Sequence, residues 1–147
     1  MKTLALTWED IERMVRIIAG QLPCRPVGVY GIPRGGLIPA VRLSHLLDIP
    51  FFPRLDGLPF ADVSRILVVD DIVDSGMTIA PYVRVGYMTV ALVMKTHARL
   101  APLFTGQAVA GDLYVIFPYE DAACAALEAA RFAEPARRFN DSPDLLK

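Results

Sequence analysis

Residues 66–78 carry the side chains best suited to chemistry. Four aliphatic residues, 66–69, are followed at once by two acids, Asp70 and Asp71. Adjacent carboxylates at the end of a buried strand are costly to desolvate unless a cation or a hydroxyl group meets them. A ribose diol or a magnesium ion would meet that need. This spacing therefore indicates a site for a sugar, a divalent cation or both.

The second half of the same segment offers groups that suit a phosphate. Gly76 permits a turn that a side chain would block, and Ser75 and Thr78 supply hydroxyls. A helix that opens here would add the unpaired N–H groups of its first turn. Together these groups predict a cradle for a phosphate monoester, although either half alone is also typical of a solvated loop or a helix cap.

A second loop, residues 31–36, reads Gly-Ile-Pro-Arg-Gly-Gly. Its two final glycines let backbone amides approach a ligand closely, and Arg34 adds a forked donor. The loop therefore suits an anion. Because glycine-rich turns after strands are common, a plain connector is an equally open interpretation.

The elements around these loops alternate between strand and helix. Apolar runs predict strands at 27–30, 66–69, 88–94 and 113–117, with a further short strand at 49–52. Helices are predicted from a Thr7 cap to about Gly20 through Trp8, Ile11, Val15 and Ile18, then at 37–47, after Thr78 to about Arg84, and at 122–132. Such alternation indicates an α/β fold with a mainly parallel sheet flanked by helices. Ligands of such sheets lie at the carboxyl ends of the strands, so loops 31–36 and 70–78 should meet at one edge.

The composition bounds the classes of function. The chain has 147 residues, of which 54% are hydrophobic, and a net charge of −1. We expect one domain, 1–147, with a core at about 25–120 and a loose tail at 134–147. The near-neutral charge does not indicate a nucleic-acid or anionic-membrane binder. Cys24 and Cys124 lie far apart, and neither a signal peptide nor a membrane span is evident, so we expect a cytoplasmic protein with reduced thiols.

The run that ends at Thr78 resembles the phosphoribosyl-pyrophosphate loop of the type I phosphoribosyltransferases. That pattern has four hydrophobic residues, two acids, two hydrophobic residues, Asp, Ser or Thr, Gly, any residue and Thr, and every position fits. The resemblance implies that Asp70 and Asp71 hold the ribose hydroxyls, directly or through Mg²⁺, and that Asp74 helps move a purine proton. The implied set that binds phosphoribosyl pyrophosphate is Arg34, Gly35, Gly36, Asp70, Asp71, Ile72, Val73, Asp74, Ser75, Gly76, Met77 and Thr78.

Two further segments extend the resemblance. Loop 31–36 is similar to the family's pyrophosphate loop, in which a non-proline cis peptide, if present here, should involve Arg34. Lys95 matches the lysine that 6-oxopurine enzymes set against the exocyclic oxygen, although it could be an ordinary surface lysine. Residues 112–120 resemble the segment in which an aromatic residue stacks on the base and a backbone carbonyl reads its amino group. This implies a base site at Lys95, Tyr114 and Val115, with Tyr119 replacing the family's tryptophan; aromatic core packing is the alternative.

The resemblance covers about residues 25–120 and is nearest to the small bacterial xanthine–guanine enzymes. It implies the type I phosphoribosyltransferase fold with a reduced hood and a short flexible loop, and transfer of 5-phosphoribosyl to guanine, xanthine or hypoxanthine in purine salvage. It also implies a homodimer or higher homo-oligomer. Only about residues 53–65 are available for the lid, which is short. A sensor of phosphoribosyl pyrophosphate or a nucleotide is therefore the alternative, and adenine or a pyrimidine remains open as the base.

We predict that Asp74→Asn retains phosphoribosyl-pyrophosphate binding but loses most turnover. A general base contributes about 10²–10⁴-fold to the rate, whereas the substitution leaves the phosphate cradle in place. Titration of the ligand and steady-state kinetics on the same preparation measure both effects. An equal loss of binding and turnover would show that this role for Asp74 is wrong.

Overall fold

The computed structural model describes residues 2–59 and 62–133, which fall into two compact units. Of the described residues, one unit contains 2–6 and 112–133, and the other contains 7–59 and 62–111. In chain order the elements are β1 (Lys2–Ala5), α1 (Trp8–Gln21), β2 (Gly28–Gly31), α2 (Leu37–Leu47), β3 (Ile66–Val73), α3 (Ala80–Val85), β4 (Met88–Lys95), β5 (Phe104–Val109), β6 (Leu113–Ile116) and α4 (Ala122–Ala133).

A four-stranded parallel sheet organises the larger unit. Its strand order is β2-β3-β4-β5, and every neighbouring pair is parallel. Residues 66–69 of β3 and 88–93 of β4 are all buried, as expected for central strands covered on both faces. The prediction of a parallel sheet flanked by helices is confirmed.

Helix α1 begins with the predicted cap. The Thr7 side chain accepts a hydrogen bond from the Asp10 amide, and the Asp10 carboxylate accepts one from the Thr7 amide. The buried face of α1 comprises Ile11, Met14, Val15 and Ile18. The placement of Trp8 on this face was wrong, because its side chain is 56% exposed and Met14 takes the additional core position.

The smaller unit is described by itself. Strands β1 and β6 run parallel, with Leu4 opposite Val115, and the Leu6 amide donates to the Ile116 carbonyl. The predicted strand at 113–117 and helix at 122–132 are confirmed within one residue at each end. The partner strand β1 was not predicted. The predicted tail at 134–147 lies outside the described residues.

Three local predictions were wrong or incomplete. Residues 49–52 form only an isolated bridge from Phe51 to Val29, because Pro50 lacks the N–H that a ladder requires. The predicted loop 70–78 begins later, since β3 continues to Val73 along β4. Strand β5 was missed. The described part of 53–65 is irregular apart from a short 3₁₀ turn, Val63–Arg65.

Among residues 2–59 and 62–133, none of the helices combines the length and the apolar character that a bilayer span requires.

Removal of the α1 cap should lower stability. Thr7→Ala leaves the Asp10 amide without its side-chain acceptor, which should cost about 1 kcal/mol of unfolding free energy. Thr7→Ser keeps the hydroxyl and serves as the matched control. Chemical denaturation monitored by circular dichroism measures both. Equal destabilisation by the two variants would mean that packing of the Thr7 methyl group, and not capping, is responsible.

Candidate active site

Loops 31–36 and 74–79 meet at the carboxyl edge of the sheet, as the sequence predicted. Strands β2 and β3 pair as far as Gly31 and Val69. The Ile32 amide then donates to the Val69 carbonyl at 2.8 Å, and the Gly36 amide donates to the Ile32 carbonyl at 2.9 Å. These bonds fold the first loop back over the end of β3.

A pocket of about 330 Å³ opens between the two loops. It brings together residues from three segments: the first loop, the end of β3 and the turn before α3. The lining residues are Ile32, Pro33, Arg34, Gly35, Asp70, Asp71, Ile72, Val73, Asp74, Ser75, Gly76, Thr78 and Ile79. The pocket thus collects every residue that the sequence assigned to phosphoribosyl pyrophosphate except Gly36, which is buried beneath it, and Met77, which is 81% exposed.

Asp70 and Asp71 lie where β3 pairs with only one neighbouring strand. Beyond Val69 the strand pairs with β4 but not with β2. On this open side the carboxylates bond locally: Asp70 Oδ1 accepts from the Asp71 amide at 2.9 Å, and Asp71 Oδ1 accepts from the Ile72 amide at 2.8 Å. These bonds orient both carboxylates at the strand end.

Burial and mutual repulsion disfavour ionisation of Asp70. Its side chain is nearly buried, and burial followed by the charge of Asp71 raises the pKa of Asp70 to about 7. A divalent cation bound by these oxygens would relieve that repulsion. Within the described ranges no cluster of three or more His, Cys, Asp or Glu side chains could hold a metal. The two carboxylates offer oxygen ligands of the kind Mg²⁺ prefers, and Mg²⁺ commonly takes its remaining ligands from water and a substrate.

The first loop packs directly on Asp71. A Cβ added at Gly35 would overlap the Asp71 carboxylate, so only glycine allows this approach. The peptide bond between Pro33 and Arg34 is cis, at the position where the sequence resemblance expected one. The Arg34 side chain is exposed at the rim of the pocket.

The turn before α3 is fixed from beneath. Gly76 has φ +95°, and a Cβ there would lie 2.6 Å from the Leu100 carbonyl oxygen. The Ser75 carbonyl accepts from the Arg99 amide at 3.0 Å, and the Ser75 hydroxyl accepts from the Met77 amide at 3.2 Å. Below the turn, Ile79 is fully buried in a cluster with Val73 and Ala91. The turn is therefore held on the sheet while its polar groups face outward.

Asp74 lies between two basic side chains from the end of β4. Lys95 Nζ is 3.4 Å from Asp74 Oδ2, and His97 Nε2 is 2.6 Å from Asp74 Oδ1. The Lys95 side chain is only 3% exposed, so the surface-lysine interpretation was wrong. His97 was missed by the sequence analysis. The one available signal was its position two residues after Lys95, on a strand end that faces the same edge.

The other predicted base-site residues lie on β6, in the smaller unit. The Tyr114 hydroxyl donates to Glu128 at 3.2 Å, and its ring lies 5.6 Å from that of Phe132. Burial, followed by the charge of Glu128, raises the pKa of Tyr114. Val115 is buried, and Tyr119 stacks on Phe117 with ring centroids 5.3 Å apart. The base-binding roles of Tyr114 and Val115 stay predictions.

Several known proteins with similar sequences or folds are phosphoribosyltransferases. The chain is 29% identical over 165 residues to the xanthine-guanine phosphoribosyltransferase of Cereibacter sphaeroides, covering 92% of this chain and 93% of the relative. It is 26% identical over 170 residues to that of Roseobacter denitrificans, covering 92% of each. The crystal structure of a purine phosphoribosyltransferase from Pyrococcus horikoshii matches with a TM-score of 0.67 at 28% identity, covering 82% and 95%. The chain is thus similar to xanthine-guanine phosphoribosyltransferases over most of its length.

The similarity to phosphoribosyltransferases extends over most of the chain. No family model matches the chain. The alignments nevertheless cover 92% of the chain, and residues 70–76 and 78 of the resembling motif line the pocket between the two loops.

The raised pKa of Asp70 predicts a stability that falls with rising pH. Its ordinary value is 3.8, so between about pH 4 and about pH 7 the folded protein holds a proton that the unfolded chain has released. Stability from this group is complete below that window and is lost across it. Melting temperatures from about pH 5 to about pH 8 should therefore fall more steeply for the unsubstituted protein than for Asp70→Asn. Parallel curves would contradict the raised pKa.

Proposed function

We propose that the chain transfers a 5-phosphoribosyl group from phosphoribosyl pyrophosphate to a 6-oxopurine and releases pyrophosphate, as in purine salvage. The observation that carries this proposal is that one pocket is lined by Arg34 and Gly35, by the two acids at the end of β3 and by the turn that follows them. A sugar with a phosphate at one end and a pyrophosphate at the other requires such a set. The names of the relatives support the same reaction class.

The proposed sugar contacts follow from the acceptors in the pocket. Asp70 and Asp71 are oxygen acceptors at the end of β3, and they suit the two ribose hydroxyls, which can donate. The Ser75 and Thr78 hydroxyls, with the backbone from Ile72 to Met77, suit the 5′-phosphate. This arrangement is supported by the turn at Gly76, which is anchored to Leu100 and Arg99 from behind.

The pyrophosphate is proposed to lie against Arg34, Gly35 and Gly36. The fork of Arg34 can bind two phosphate oxygens at once, and the glycine backbone leaves room for them. Asp71, which touches Gly35, then lies near both the sugar and the leaving group. Asp70 and Asp71 would hold Mg²⁺, which when bound supplies positive charge for the pyrophosphate oxygens.

The proposed base contacts begin with Lys95. Its ammonium can only donate hydrogen bonds, so it favours the exocyclic oxygen of guanine, xanthine or hypoxanthine over the amino group of adenine. A nearly buried ammonium also requires a compensating acceptor, which a 6-oxo group can supply beside Asp74. Tyr114 is proposed to stack on the purine and the Val115 backbone to contact it.

In the proposed reaction a ring nitrogen of the base bonds to C1 of the sugar as the bond from C1 to pyrophosphate breaks. Such a step has oxocarbenium character, since positive charge develops on the sugar before the new bond is complete. Arg34 stabilises the charge of the departing pyrophosphate. Asp74 accepts the proton that the base loses. The chain itself contributes orientation of both substrates, which is a large part of such catalysis.

Three broader properties are also proposed. The protein works in the cytoplasm, which is supported by the exposure of both its cysteines, Cys24 and Cys124. It forms a homodimer or a higher homo-oligomer, which is supported by the exposed apolar side chains of Leu37, Ile38 and Val41 on α2. Its ligands are small molecules.

The decisive experiment is pyrophosphate release with a panel of bases. Phosphoribosyl pyrophosphate and Mg²⁺ are supplied with guanine, xanthine, hypoxanthine, adenine or uracil, and release is followed by a coupled phosphate assay. We expect release with at least one 6-oxopurine and little with adenine, because Lys95 can only donate.

A control with Lys95→Met separates base selection from sugar binding. This variant should lose release with 6-oxopurines but still bind phosphoribosyl pyrophosphate. Binding without release for any base would overturn the transferase and favour a sensor of phosphoribosyl pyrophosphate or a nucleotide.

A further inference from the structure

His97 contacts the residue proposed to accept the proton. Its Nε2 lies 2.6 Å from Asp74 Oδ1, closer than Lys95 Nζ lies to Asp74 Oδ2, at 3.4 Å. Each oxygen of the carboxylate thus has its own basic neighbour. Asp74 itself is 51% exposed and stands on a turn rather than on a strand, so its rotamer depends on such contacts.

The two neighbours differ in what a base would do to them. Lys95 is nearly buried and lies at the end of β4, where a 6-oxo group would compete with Asp74 for its ammonium. His97 is half exposed and contacts the other oxygen of the Asp74 carboxylate, Oδ1. When Lys95 turns to the base, Asp74 loses one partner, and His97 remains to hold the carboxylate.

The His97 ring is itself held in position. The turn that carries it is closed by the Ala98 amide, which donates to the Lys95 carbonyl at 3.0 Å. The Thr96 amide donates to the Val109 carbonyl at 2.9 Å, which ties the turn to the end of β5. On the other side the ring packs on Gly111, where an added Cβ would overlap Nδ1. The imidazole therefore has little freedom to leave Asp74.

We propose that His97 is a positioning residue that holds Asp74 Oδ1, so that Oδ2 faces the ring nitrogen of the base. This inference rests on the proposed function. In the step that it serves, the N–H bond of the base breaks and an O–H bond forms at Asp74 Oδ2, while the electron pair of the N–H bond stays on the base. Throughout, His97 donates its Nε2–H to Oδ1 and does not take the proton.

Substitutions at His97 separate the hydrogen bond from the bulk of the ring. His97→Phe keeps a ring but removes the donor, whereas His97→Gln places an amide donor near the position of Nε2. Loss of a hydrogen bond to a charged group should lower kcat by about 10- to 100-fold in the Phe variant. The Gln variant should restore most of that loss, and the affinity for phosphoribosyl pyrophosphate should stay unchanged in both. His45→Gln, on the exposed side of α2, is the matched control.

Two results would overturn the proposal. Equal kcat losses in the Phe and Gln variants would mean that the donor is not what matters, and no loss in either would mean that Asp74 needs no second partner. Should the Phe variant fail to fold, His97→Ala takes its place in the same comparison.

A nuclear magnetic resonance measurement keeps this test separate from the proposed reaction. The ¹⁵N chemical shifts of the His97 ring should change in Asp74→Asn and stay the same in the control, Asp56→Asn. Unchanged shifts in Asp74→Asn would exclude the contact between His97 and Asp74, whether or not the protein has transferase activity. A further outcome is that the unsubstituted protein releases no pyrophosphate with any base while these shifts do change. In that case the contact between His97 and Asp74 is confirmed but the proposed function is wrong, and the positioning role in that reaction is wrong as well.

Discussion

Two adjacent carboxylates at the end of β3 impose the constraint from which the rest of the site follows. Asp70 is nearly buried, and its pKa is raised to about 7 by that burial and by Asp71. With both groups ionised such a pair is unfavourable unless a cation compensates it, so the fold maintains an unfavourable arrangement at this position. The early end of β2 exposes the strand edge, and the glycine loop is shaped to fit against Asp71.

The parallel sheet explains why distant segments converge on these acids. Strands β2, β3 and β4 all end at the same edge, so loop 31–36, the turn after Val73 and the residues after Lys95 become neighbours. Each brings a different chemical capability: an arginine with two glycines, a hydroxyl-rich turn, and a pair of basic side chains around Asp74. Backbone hydrogen bonds and buried apolar contacts hold the segments that carry these groups at the edge of the pocket.

The sequence predicted the meeting of the two loops better than it predicted the strands of the sheet. Residues 66–78 were informative because the apolar, acidic and small residues that form this part of the pocket follow one another directly in the sequence. Strand β5 was missed because its sequence, Phe-Thr-Gly-Gln-Ala-Val, lacks a strong apolar alternation. Its glycine, Gly106, is explained by the close packing of α1, since a Cβ at this position would lie 2.6 Å from the Cβ of Met14. His97 was missed because its partner, Asp74, is 23 residues away and only the strand order brings the two together.

A crystal structure with guanosine 5′-monophosphate tests the central claim most directly, because one ligand carries a phosphate, a ribose diol and a 6-oxopurine. The account predicts the phosphate on the turn of residues 74–78, the ribose hydroxyls on Asp70 and Asp71, and the 6-oxo group within hydrogen-bonding distance of Lys95. A nucleotide bound elsewhere, or bound here with its base turned away from Lys95, would contradict it.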